Sequence, residues 1–259
     1  MRLCLSSRMF ATPGENDLFD LGVEEFVRWA RSLGYEGITL RPGQLNGQTP
    51  VDRVREIADL LEENGMAFSF VMGAPLGGEK SYTDLCRLAD HAVLLGCRYL
   101  QTSIPSPAQI PWARKLCDYA ADRGIGVCPQ IHGGTVHDTL PHCLDLLGQV
   151  GRENFGFNFE TAQLLAQRAE IQGGQAVRAL GDRIFTVCVQ NYKLEGASFV
   201  PCLPGDPGGV DFEDLFAALR EIGFQGFVTH ISARFPGFEN LEVCRAYLRK
   251  LRPLMDGAK

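Results

Sequence analysis

Three shortages in this chain each remove a class of protein. No apolar run approaches the ~20 residues that a bilayer-crossing helix needs, and Met1-Arg2 leads directly into the first apolar run with no visible signal peptide. A membrane partner is therefore not expected. The nine cysteines contain no C-x-x-C pair and are odd in number, which argues against a zinc knuckle and against a disulfide framework. Cys4, Cys128 and Cys188 fall in strand patterns, and Cys86, Cys117, Cys143 and Cys244 in helical ones. They read as small hydrophobes packed in a reducing cytoplasm. Positive charge is also short: 25 Lys and Arg against 31 Asp and Glu leave a net charge of −6. Such a surface repels phosphate backbones, so nucleic acid is not an expected partner.

What remains is a unit that recurs eight times, each opening with a short apolar run. The runs are 2–7, 36–41, 66–72, 98–103, 125–130, 155–159, 184–189 and 227–232. Amphipathic stretches lie between them, as at 23–33, where Val23, Phe26, Val27, Ala30 and Leu33 mark one helical face. Strands alternating with helices imply parallel pairing through crossovers. Eight units in 259 residues, 45% of them hydrophobic, match one (β/α)8 TIM barrel, an α/β domain spanning 1–259. Glycines at 34, 65, 96, 124 and 223 end helices just before the next strand, giving short loops on one rim. The loops on the other rim (42–50, 73–80, 104–107, 132–136, 191–210 and 233–239) are longer. A site is expected there, at the carboxyl ends of the strands.

Those strand ends carry a resemblance. Leu33-Gly-Tyr-Glu-Gly-Ile-Thr-Leu-Arg41, Phe155-Gly-Phe-Asn-Phe-Glu160-Thr-Ala-Gln163, Gly181 through Asn191, and the 204–226 approach to the last strand resemble the sugar phosphate isomerase/epimerase superfamily. These are the xylose-isomerase-like TIM barrels, and the resemblance runs nearly end to end. It implies a divalent metal held by Glu on the fifth strand, Asp on the sixth, His on the seventh and Glu on the eighth. Here those positions read Gln130, Glu160, Cys188 and Ile231, with His230 one residue away and Thr39 replacing a second-strand acid. One carboxylate is left, so the usual manganese or magnesium site is not expected.

Two readings stay open. A rebuilt site would use Glu160, Cys188 and His230, a set suited to zinc or iron; against it, His230 and Ile231 face opposite sides of a strand. Otherwise there is no metal, and the pocket works through side chains or only binds. Glu160 and His132 are the candidate acid/base residues. Arg41, Gln130, Gln163, Asn191 and Lys193 are the candidate substrate contacts, with Lys193 or Arg41 stabilising charge. Gly205 through Gly209 either borders the substrate or is a plain turn. His91, His137 and His142 are expected to be solvated. The implied activity is isomerase- or epimerase-like (a lyase is possible) on a small sugar-like metabolite. The alternative is a metabolite-binding or partner-supporting pseudoenzyme, and a homo-oligomer fits either. A multi-metal nuclease is disfavoured by only five scattered histidines.

Overall fold

The structure is a computed structural model that describes residues 1–12, 18–196, 198–232 and 239–257. Most of the expected loop at 233–239 therefore lies outside the described residues. The strands are β1 (Arg2–Ser6), β2 (Gly37–Thr39), β3 (Ala67–Phe68), β4 (Val71–Met72), β5 (Tyr99–Gln101), β6 (Gly126–Val127), β7 (Phe157–Glu160), β8 (Ile184–Val189), β9 (Tyr192–Glu195), β10 (Ser198–Pro201) and β11 (Phe227–His230). The principal helices are α1 (Val23–Leu33), α2 (Val51–Glu63), α3 (Glu79–Leu94), α4 (Ile110–Ala121), α5 (Leu140–Val150), α6 (Gln163–Ala166), α7 (Gly173–Leu180), α8 (Phe212–Glu221) and α9 (Asn240–Asp256).

One six-stranded sheet has the order β3-β2-β1-β11-β8-β7 and a second has β4-β5-β6, with every pair inside them parallel. The two sheets meet twice. Isolated parallel bridges, Val127 to Phe155 and Gln130 to Asn158, link β6 to β7. On the other side β3 and β4 are two halves of one strand, parted at Ser69–Phe70. There the side chain of Thr39 donates to the Phe70 carbonyl (2.7 Å), and the Ser69 N–H donates to the Ile38 carbonyl (2.9 Å). The hydrogen-bonded ladder is thus discontinuous, but eight parallel strands follow one another in the TIM-barrel order. Strands buried on both faces need near-continuous apolar sequence; β1 and β7 each show four buried residues.

Helix α1 illustrates how the outer layer forms. Val23, Phe26, Val27 and Ala30 are buried, and Gly34 ends the helix at φ 95°, donating its N–H back to the last turn. The next strand starts three residues later. Two details depart from the expectations. Residues 192–195 and 198–201 pair as an antiparallel hairpin, β9–β10, where a plain loop was expected. Of the three histidines expected to be solvated, His91 and His137 are buried and His142 is exposed, paired to Asp138 at 2.7 Å. The His137 ring fixes loops: Nε2 accepts from the Ile104 N–H (3.3 Å) and Nδ1 meets the Thr135 hydroxyl (3.1 Å). Burial lowers its pKa to about 4, so it stays neutral. All nine cysteines are free and buried, as their apolar settings imply. No helix among the described residues is long and apolar enough to cross a membrane.

Candidate functional site

At the carboxyl ends of the strands lies a cavity of about 360 Å³. Arg8, just past β1, and Arg41, just past β2, bring positive charge to it, and Gln130, Gln163 and Gln190 line it with amides. His132 stands on the β6 side, and Tyr192 and Phe199 of the hairpin close one wall as a stacked pair, 4.2 Å between ring centres. No carboxylate is among these lining groups. The wall therefore favours an anionic, hydroxyl-rich ligand.

Hydrogen bonds decide which atoms face that ligand. The Asn158 amide donates to the Gln101 Oε1 (2.9 Å), whose Nε2 donates to the Gln130 Oε1 (2.9 Å). This relay engages the Gln130 carbonyl and leaves its NH₂ to serve as a donor. His132 Nδ1 lies 3.0 Å from the Gly133 carbonyl, which can only accept. Nδ1 therefore carries hydrogen, and in the neutral ring Nε2 is the proton acceptor. Gln163 Oε1 accepts from the Gly133 N–H (3.3 Å), which fixes this loop over the ring.

Glu160 ends β7 and is fully buried under this lining. Its Oε1 accepts from the Ala162 N–H (3.0 Å), while Oε2 has no hydrogen-bond partner. Burial pushes its pKa up to about 7, opposed by the Ala162 N–H, the Gln190 and Gln163 amides and the charge of Arg8. Glu160 thus changes charge near neutrality, one side chain away from the cavity.

The proposed metal set is not brought together. Cys188 is the register partner of Glu160, but it packs with Phe70, Met72 and Ile231, and burial drives its thiol pKa far up. Ile231 takes the inward position at the end of β11. His230 faces the helix layer instead: its Nδ1 meets the Tyr35 hydroxyl (3.0 Å) and its ring stacks on Tyr247 of α9 (3.7 Å). Burial lowers the His230 pKa to about 3. Among the described residues no group of three or more His, Cys, Asp or Glu side chains could hold a metal ion. With the Gln130 carbonyl engaged as well, the residues present do not fit the divalent ion implied by the resemblance.

Two expected substrate contacts are corrected. The Asn191 side chain braces the following loop, donating to the Leu203 carbonyl (2.8 Å) and accepting from the Val210 N–H (2.7 Å). It also lies where a Cβ on Gly209 would fall, so glycine at 209 makes room for the bracing amide. Lys193 pairs with Glu195 on the hairpin (2.8 Å) and does not line the cavity. Sequence reasoning missed Arg8 and the Tyr192–Phe199 wall. The signal for Arg8 was available: it follows the first apolar run, at a strand's carboxyl end, where Arg41 was picked out on the same ground.

Comparison with known proteins agrees with this architecture. The family model described as xylose isomerase-like TIM barrel matches residues 27–234. D-allulose 3-epimerase from Methylomonas sp. superposes with a TM-score of 0.75 at 19% identity, covering 98% of each chain. A D-psicose 3-epimerase solved in the presence of D-fructose gives 0.77 at 14% identity, covering 98% of this chain and 99% of its own. The probable 3-DHS dehydratase AsbF from Bacillus anthracis gives 0.75 at 17% identity, covering 97% and 98%. No curated protein matches the chain.

Proposed function

The chain belongs to the xylose isomerase-like TIM barrel family, and on that premise we propose that it binds a small anionic hydroxy-carbonyl metabolite and moves a proton on it. The reaction class is isomerisation or epimerisation. A proton leaves the carbon beside the carbonyl for a side-chain base, and the electron pair passes to the carbonyl oxygen. Return of a proton to the opposite face epimerises that carbon; return to the neighbouring carbon, with the hydroxyl proton moving across, isomerises the sugar. The observation that carries this reading is Glu160, a buried carboxylate with an unpartnered oxygen and a pKa near 7 beneath a donor-lined cavity. Glu160 reaches the ligand when the Gln163 or Gln190 side chain turns aside, and the Nε2 of His132 is the second proton acceptor, at the cavity wall.

The residues do not fit a divalent ion, so no step runs through one. A second reading has its own support: Glu160 is closed off from the cavity, as suits a chain that binds a metabolite without turning it over. One experiment separates them. Sugar phosphates, ketoses and 2-hydroxy acids are incubated with the protein in D₂O and followed by proton NMR. The enzyme reading predicts loss of a carbon-bound proton signal, slowed about a hundredfold or more in Glu160→Gln. Ligand-induced stabilisation without exchange would establish the binding reading instead.

A further inference from the structure

Proton removal beside a carbonyl needs positive charge where the oxyanion forms, and this ring supplies it from its own chain. Three inward positions converge at the carboxyl ends of β7, β8 and β11: Glu160, its register partner Cys188, and Ile231. Arg8 reaches this place from just past β1. Its Nη1 donates to the Ile231 carbonyl (3.3 Å) and to the Gln190 Oε1 (3.3 Å). Its charge bears on Glu160, and together with that of Arg41 on Cys188. Both anchors use one guanidinium nitrogen, so the fork is held in place while the side chain still lines the cavity.

We propose that Arg8 is a built-in electrophile: a fixed guanidinium, anchored on the main chain of Ile231 where the resemblance implies a metal-binding glutamate, that receives the oxyanion of a planar enediolate- or carboxylate-like ligand. This rests on the reading of the cavity as a site for an anionic hydroxy-carbonyl compound. Three substitutions agree with it. At 231 an uncharged side chain replaces the carboxylate that the resemblance implies: Ile231 packs with Phe70, Met72 and Cys188 and gives Arg8 its main-chain oxygen. Gln130 presents an NH₂ on the same wall, so it adds a second donor where a glutamate would add a repelling charge. Glu160 is the one acid left close by among the described residues, and its Oε1 is engaged by the Ala162 N–H while Oε2 has no partner, so the guanidinium of Arg8 is not held in an ion pair with it. A guanidinium also offers paired N–H donors whose spacing matches two oxygens of a planar anion.

Oxalate, a planar dianion shaped like an enediolate, is the probe. It is titrated calorimetrically into the intact protein in EDTA, and again with Mn²⁺ or Zn²⁺ in place of the chelator. Arg8 as electrophile predicts binding in EDTA that neither metal tightens, weakened about thirtyfold or more in Arg8→Gln and partly restored in Arg8→Lys. Should Arg8→Gln fail to fold, Arg8→Lys alone must still bind more weakly than the parent, because it lacks the fork. Binding that requires metal, absence of binding under both conditions, or undiminished binding in the variants would overturn the proposal. Arg8-dependent oxalate binding in a protein that exchanges no substrate proton would leave this inference standing and refute the catalytic reading alone.

Discussion

Glu160 shows how one side chain can be both legible and misleading in sequence. Its position at the end of an apolar strand, in a motif resembling a metal-ligand segment, marked it as the acid to watch. Its burial and its unpartnered Oε2 depend on what the rest of the ring places around it, and no local pattern encodes that. The sign of its effect on stability follows from its pKa, raised from 4.5 to about 7. Between those values the folded state holds the proton more firmly than the unfolded state. Its contribution is therefore fully present below pH 4.5 and is lost as pH rises through 7. Glu160→Gln removes the penalty of ionising in place. Thermal melts of the two proteins should show the variant gaining on the parent between pH 5 and pH 8, by roughly 1–3 kcal/mol. A difference that stays constant over that range would mean Glu160 does not titrate there. His230 and Ile231 carry the other lesson at this scale. Strand alternation alone predicts that only one of them faces inward, and the structure places Ile231 there, with His230 between Tyr35 and Tyr247.

At the scale of elements, the strands were the most readable part, because parallel strands covered on both faces must be apolar. The helices followed from their 3.6-residue stripe and their glycine stops. The β9–β10 hairpin was not readable. Tyr192, Leu194, Phe199 and Val200 sit in a segment rich in turn residues, and their pairing is worth little until Tyr192 and Phe199 stack over the ring. The split third strand was equally silent, since it arises from the Thr39 and Ser69 hydrogen bonds between neighbours. Close approach between strands makes one position here sharply testable. A Cβ on Gly37 would stand 2.6 Å from the Ala67 carbonyl oxygen and 2.7 Å from the Cys4 sulfur. Backbone cannot move aside cheaply at that point, because β1, β2 and β3 are paired through it. Gly37→Ala should lower stability by about 1–3 kcal/mol in urea unfolding, whereas Gly65→Ala, with open space but φ 61°, should cost less. Equal losses would refute the account of why β2 begins with glycine.

For the molecule as a whole, the architecture was legible because eight repeats of one pattern admit few arrangements, and the barrel is what directs the search for a site to the carboxyl ends of its strands. The chemistry proposed for the candidate site rests mainly on what is replaced. Gln130, Cys188 and Ile231 stand where the resemblance implies charged or metal-binding groups, and the structure adds that each is occupied otherwise, by the Gln101 relay or by apolar packing. Arg8 and Arg41 then dominate the electrostatics of the cavity. The central claim is that this family member works its carboxyl-end pocket with its own side chains and no divalent ion. The most direct measurement is the metal content of the purified protein, taken beside its proton-exchange rate before and after exhaustive chelation. The account predicts metal well below one equivalent, about a tenth or less, and an exchange rate that chelation leaves unchanged. One equivalent of bound metal, lost in Glu160→Gln together with the exchange, would contradict it.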